Sequence, residues 1–152
     1  MADDHLRLAD FLCFAVYSAN HAFNRVYKPL LDELGLTYPQ YLAMVVLWEK
    51  DGQTVGEIGE RLFLESSTLT PLLKRLEANG LVNRFRDARD ERVVRVSLTD
   101  AGRALRAKAA DVPPCIFAAT GGKMEDLVRL KDELVALRET LGEAGPNEGS
   151  RG

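Results

Sequence analysis

With 152 residues, 46% of them hydrophobic and 28% charged, the chain is sized and composed for one globular domain with its own core. Its formal charge of −3 hides an asymmetry: residues 66–108 carry ten Lys/Arg against five Asp/Glu, a local +5, and the remainder is −8. A basic patch on an acidic body can hold phosphate, because the local field matters more than the total. Apolar runs fall short of the roughly 18 to 20 residues that cross a bilayer. The acidic start, Met1-Ala2-Asp3-Asp4-His5, lacks a secretory pattern, and two cysteines 102 positions apart are too few for a secreted disulfide scaffold. The expectation is a cytoplasmic protein with no membrane role, whose cysteines are either packing residues or redox-active ones.

In chain order, Leu8, Leu12, Ala15, Ala19, Ala22 or Phe23, Val26 and Leu30 recur at helical spacing, predicting one long helix from Leu6 to about Leu34, closed by Gly35 and bent or broken at Pro29. Thr37 opens a second helix to Glu49, apolar on more than one face and therefore buried. Thr54 and Glu57 form a capping-box signature for a short helix to about Leu62. After a turn at Phe63-Leu64-Glu65, Ser66 or Ser67 caps a helix that turns Leu69, Leu72, Leu73 and Leu76 inward. Pro71 is accommodated if that helix begins near Ser67, and Asn79-Gly80 stops it. Leu81–Phe85 and Val93–Leu98 read as two strands around a polar tip, residues 86–92. Thr99 caps a helix to about Asp111, where Pro113-Pro114 breaks it. A last helix runs from near Lys123 to Leu141, and 142–152 reads as a disordered Gly/Pro/polar tail.

This pattern predicts a mainly α protein with a small β-hairpin. A compact middle module (about 54–99) lies between helices (about 6–34 and 100–141) whose apolar stripes have little to cover them. All belong to a single domain, 1–141, and the stripes point to a helical dimer interface. Two short helices joined by a tight turn place the second in a major groove. That helix offers Ser66, Ser67, Thr68 and Thr70 near its start, and Lys74 and Arg75 for the phosphate backbone. The hairpin tip becomes a wing, with Arg86, Arg89 and Arg92 as its cations. Arg89 is the candidate for minor-groove insertion, with Asp87 or Asp90 holding the loop.

The motifs Ser66-Ser67-Thr68-Leu69-Thr70, Leu72-Leu73-Lys74-Arg75-Leu76-Glu77, Gly80-Leu81-Val82, Asp87-Ala88-Arg89-Asp90-Glu91-Arg92 and Leu98-Thr99-Asp100-Ala101-Gly102 together resemble the MarR family of dimeric winged-helix regulators. More narrowly, Leu36-Thr37-Tyr38-Pro39-Gln40-Tyr41, then Leu47-Trp48-Glu49, with Cys13 upstream, resemble its organic-hydroperoxide sensor branch. The resemblance implies a homodimer on a pseudo-palindromic double-stranded DNA operator. It implies repression of a detoxification gene, an organic hydroperoxide as inducer, no cofactor, and no enzymatic role.

The reactive form of a cysteine is its thiolate, which reduces a hydroperoxide and becomes a sulfenic acid. Arg7, almost two turns back, is the nearest cation along the chain, so phenol hydroxyls are the candidate donors to the Cys13 sulfur. Tyr17 shares a helix face with Cys13. Tyr27 lies fourteen residues on, roughly 21 Å along a straight helix, beyond reach unless the helix folds back or a second chain supplies it. The resemblance assigns thiolate binding to Tyr27 and Tyr38 of the partner subunit. The neighbours Phe11, Phe14 and Phe23 favour organic peroxides over hydrogen peroxide. The two-cysteine subgroup of these sensors implies Cys115 as the resolving cysteine of an intersubunit disulfide, although its register places that cysteine nearer Ala118. Without it, a small cellular thiol would cap Cys13 or the sulfur would overoxidise.

Two rival readings stand beside this one: a regulator of the same fold released by a phenolic ligand, with Cys13 incidental, and a thiol peroxidase. His5 and His21 lack Cys/His partners at ligand spacing, so no metal site is expected.

Overall fold

The computed structural model describes residues 5–144. Of the expected tail, residues 145–152 lie outside the described residues, while 142–144 are helical. Contacts divide the chain into two compact units, the first ending at Ile116 and the second beginning at Phe117.

The first helix, α1, is Leu12–Asp32, shorter at both ends than expected. Phe11 is extended (φ −84°, ψ 111°) and separates α1 from a 3-10 turn at Leu8–Asp10. Pro29 neither breaks nor ends α1; its ring removes one backbone donor, and the helix continues for another turn. Of α1's 21 residues, only Leu31 is buried, so the helix keeps an exposed apolar face including Leu12, Val16, Phe23 and Val26, with Phe14 exposed on the opposite side. Helix α2 (Tyr38–Glu49) opens with a complete capping box: the Gln40 N–H donates to Thr37 Oγ1 (3.3 Å) and the Thr37 N–H to Gln40 Oε1 (3.0 Å). Its Tyr41, Ala43, Met44, Val46 and Leu47 are all buried, which is why its sequence shows no polar stripe.

Strand β1 (Gln53–Thr54) went unread in the sequence because two residues cannot display an alternating pattern. Gln53 is buried, and its Nε2 donates to the Val46 and Lys50 carbonyls at the end of α2. Helix α3 (Val55–Leu62) is capped by Thr54, which accepts from the Glu57 N–H (3.0 Å). Helix α4 (Ser66–Ala78) corrects the expected start. Glu65, not a serine, is the N-cap, and it makes no side-chain capping bond. Pro71 is therefore the sixth helical residue, beyond the first turn. Burial of Leu69, Leu73 and Leu76 holds the helix through it.

Strands β2 (Val82–Arg86) and β3 (Val94–Leu98) pair antiparallel, from Val82 opposite Leu98 to Arg86 opposite Val94. With β1 added, the sheet has three strands in the order β1-β3-β2 rather than a hairpin alone. Helix α5 (Asp100–Ala109) is capped by Thr99. Gly102 sits where an added Cβ would lie 2.1 Å from the Leu81 carbonyl oxygen, so only glycine permits this approach of α5 to the start of β2. The Gly102 carbonyl accepts from Trp48 Nε1 at 2.9 Å, tying α5 to α2.

Helix α5 ends before Pro113-Pro114, as expected, but the prolines also occupy the first turn of a further helix that the sequence did not predict, α6 (Val112–Thr120). First-turn amides have no intrahelical acceptor, so Pro113 and Pro114 cost nothing there. The core of the first unit centres on Met44, Leu47, Ile58, Leu69, Leu73, Leu76, Val82 and Val96, all fully buried. In the second unit, α7 (Met124–Ala144) buries no residue and exposes Val128, Leu130, Leu134 and Leu141. Among the described residues no helix is long and apolar enough to cross a membrane.

Candidate nucleic-acid interface and phenol cluster

Helices α3 and α4 meet through a tight turn. Phe63 takes the left-handed conformation (φ 57°, ψ 39°), and the Leu64 N–H donates back to the Gly59 carbonyl (3.0 Å). The turn leaves the opening of α4 on the surface. Ser66, Ser67 and Thr68 are exposed and Thr70 is half-buried. Lys74 and Arg75, one to two turns on, are also exposed. The first-turn N–H groups of a helix favour negative charge, so hydroxyls, amides and two cations share one surface.

The wing tip carries Arg86, Arg89 and Arg92, all exposed. Its two aspartates are braces. Asp87 Oδ1 accepts the Arg89 N–H (2.7 Å), and Asp87 Oδ2 accepts Arg95 Nε (2.6 Å). Asp90 Oδ1 accepts both the backbone N–H and the Nε of Arg92 (3.1 Å each). These bonds hold the Asp87 carboxyl below its ordinary range, chiefly through the Arg89 N–H and then Arg95. Asp90 is lowered chiefly by the Arg92 side chain. Arg86 Nη1 donates to the Glu91 carbonyl (2.7 Å) across the tip. No ion pair among the described residues engages the Arg89 guanidinium, which leaves it available to a ligand. Arg95 and the Glu77–Arg84 pair escaped the sequence reading. Glu77 accepts the Arg84 N–H (2.9 Å) and its guanidinium (3.2 Å), tying α4 to β2.

Where α1 meets α2, three phenols cluster. The Tyr27 and Tyr38 rings are 4.8 Å apart, Tyr27 and Tyr41 5.9 Å, and Tyr38 and Tyr41 6.5 Å. The structure therefore brings the two sequence-picked tyrosines together and adds Tyr41. The Tyr38/Tyr41 spacing of i, i+3 was the available signal for this third phenol. Burial, then the neighbouring Tyr38 and Tyr41, push the Tyr27 phenol up to about 12. Burial also raises Tyr38 and Tyr41, with Tyr38 adding to the rise at Tyr41. At neutral pH all three therefore keep their O–H protons and can donate hydrogen bonds. Tyr27 and Tyr38 line a cleft of about 520 Å3 with Asn24, Leu31, Thr37 and Pro39.

Cys13 is exposed near the start of α1, and Cys115 is exposed on α6; both are free thiols. Because α1 is continuous from Leu12 to Asp32, its own Tyr27 stays roughly 21 Å along the axis from Cys13. Within one chain, the thiol and that phenol are not brought together. Among the described residues no group of three or more His, Cys, Asp or Glu could hold a metal ion.

A helix-turn-helix followed by a braced basic wing defines the class of winged-helix regulators. The comparisons place the chain within it. Residues 25–108 match the family model "Transcriptional regulator SarA/Rot". The organic hydroperoxide resistance transcriptional regulator of Bacillus subtilis is 49% identical over 91% of this chain and 94% of that protein. Reduced AbfR bound to DNA superposes with a TM-score of 0.79 at 36% identity, covering 95% of this chain and 99% of that one. The disulfide form of AbfR, a protein of Staphylococcus epidermidis, matches with a TM-score of 0.62 at 37% identity over 91% and 92% of the two chains. The chain belongs to the MarR/SarA-type winged-helix transcriptional regulators, a class of regulators and not of enzymes.

Proposed function

We propose that the chain is a homodimeric, cytoplasmic repressor that grips a pseudo-palindromic duplex and releases it when an organic hydroperoxide oxidises Cys13. One observation carries the reading. An exposed thiol opens an unbroken helix whose far end joins the phenol cluster through Tyr27, and Cys13 and Tyr27 are too far apart on it to meet in one chain. A second copy, its α1 crossing the first, brings Tyr27 and Tyr38 of one protomer to Cys13 of the other. The exposed apolar faces of α1 and α7 are the surfaces a partner chain would cover.

The phenol O–H groups stabilise the thiolate by donating to its sulfur. The thiolate attacks the terminal peroxide oxygen, the O–O bond breaks, and the alkoxide leaves and takes a proton as the alcohol. Cys13 is left as a sulfenic acid, which no longer accepts the phenol donors as an anion does. Condensation with the Cys115 thiol of the partner, releasing water, gives an intersubunit disulfide; a small thiol substitutes where Cys115 does not reach. Bridging requires Cα atoms roughly 4.4 to 6.8 Å apart, so any larger starting separation moves the helices. Half-sites lie about 34 Å apart, and a shift of a few ångströms misregisters both reading heads.

Ser66, Ser67, Thr68 and Thr70 meet the major groove in this reading, Lys74 and Arg75 hold phosphates, and Arg86, Arg89 and Arg92 hold the flanking minor groove. Asp87 and Asp90 act through the arginines they brace. The test is the Cys13→Ser variant on a duplex selected by the wild-type protein. It should bind as the wild type does and stay bound in cumene hydroperoxide. Release of the variant by peroxide, or wild-type release while Cys13 is still a free thiol by intact mass, would instead favour a ligand-gated regulator.

A further inference from the structure

Arg95 differs from the other wing arginines because it points its guanidinium back into the protein. It lies on the central strand, opposite Phe85 of β2 on one side and Thr54 of β1 on the other. Its Nε donates to Asp87 Oδ2 at 2.6 Å, and its Nη1 donates to the Gly52 carbonyl at 2.9 Å. One planar fork thus joins the wing tip to the turn between α2 and β1. That turn is itself anchored. Asp51 Oδ1 accepts the Gly52 N–H and the Leu98 N–H, both at 2.8 Å, and Asp51 Oδ2 lies 3.6 Å from Arg103 Nη1. At the other end of the fork, the second oxygen of Asp87 accepts the Arg89 N–H, fixing the backbone from which the exposed Arg89 side chain projects. The Asp87 side chain is only 13% exposed and the Arg95 side chain 37%, so it is the carboxylate end of the junction that is shielded from water.

We propose that Arg95 is a positioning residue for DNA recognition: it seats the wing on the turn that closes α2 and so sets where Arg89 meets the duplex. The inference rests on the reading of this chain as a DNA-binding regulator. Lysine cannot replace the fork, because an ammonium on a flexible stem does not hold two acceptors in one plane. The seat also stands at the end of the helix whose first turns carry Tyr38 and Tyr41.

The test is a double-mutant cycle on a duplex selected by the wild-type protein from a random pool, read by fluorescence anisotropy. Arg95→Gln and Arg95→Lys should each weaken binding about tenfold, with the circular dichroism spectrum and the dimer unchanged. Because Arg95 acts through Arg89, adding Arg95→Gln to Arg89→Ala should cost nothing further. Losses that multiply in the double variant, as a separate DNA contact or a general loss of structure would give, overturn the proposal. So does full affinity in Arg95→Lys, which keeps the charge and carries the test should Arg95→Gln fold poorly. A wild-type protein that selects no duplex overturns the DNA-binding reading itself, an outcome visible before any variant is made.

Discussion

Replacing Arg89 by alanine isolates the wing's contribution to binding. The side chain is exposed, and no ion pair among the described residues engages its guanidinium. Its removal should change folding stability by no more than about 0.5 kcal/mol. The bond that shapes the loop, from the Arg89 backbone N–H to Asp87, does not depend on the side chain. On DNA the effect is doubled, because a dimer loses two cations. At about 1 kcal/mol per contact, the loss is about 2 kcal/mol, or roughly thirtyfold in affinity. Two fewer cations neutralising the duplex from its minor groove should also make the slope of log affinity against log salt shallower, by up to about 1.8. Anisotropy titrations across a salt series, with thermal unfolding in parallel, read all three quantities. Unchanged affinity with an unchanged slope would refute the assignment of Arg89 to the duplex. A large fall in the unfolding midpoint would refute the claim that its side chain is free of structural duty.

Three further outcomes are expected. Tyr27→Phe removes a donor from the phenol cluster and should slow the reaction of Cys13 with organic hydroperoxide by about tenfold, measured by stopped flow; an equal rate would remove Tyr27 from the sensor. Phenolate absorbance should show one tyrosine titrating near 12, the Tyr27 position, well after an ordinary phenol. Since the folded state holds that proton more tightly than the unfolded state, the stability it contributes is present below about pH 10 and lost as pH rises through 12; four tyrosines titrating together near 10 would contradict the burial. Gly102→Ala drives a Cβ to within 2.1 Å of the Leu81 carbonyl oxygen and should cost about 3 kcal/mol, seen as a lowered thermal midpoint; an unchanged midpoint would mean that α5 can shift without penalty.

Capping chemistry made much of the fold legible in the sequence. Thr37, Thr54 and Thr99 each mark a helix start, and each accepts the backbone N–H three residues on. Side chains that satisfy local backbone groups leave a local signature. Features that depend on partners distant in sequence left none. Strand β1 exists because Gln53 and Thr54 meet Val96 and Arg95. The start of α4 at Ser66 depends on packing of its leucines, not on a capping side chain. Pro113-Pro114 was ambiguous, because the same pair can end one helix or begin the next.

The candidate site divides in the same way. The wing arginines and the hydroxyls of α4 stand out by composition. So did the separation of Cys13 from Tyr27, which became decisive once α1 proved continuous through Pro29. Tyr41 was hidden because a tyrosine on a helix apolar on more than one face reads as core, and it is indeed buried while also facing two other phenols. Arg95 was hidden because its acceptors, Asp87 and Gly52, lie eight and 43 residues away.

The most direct measurement follows duplex occupancy and intact mass in one sample while cumene hydroperoxide is added stepwise under non-reducing conditions. Release should rise in step with modification of Cys13, and thiol reductant should restore both the original mass and the bound state. Duplex lost from protein whose Cys13 is still a free thiol would contradict the account.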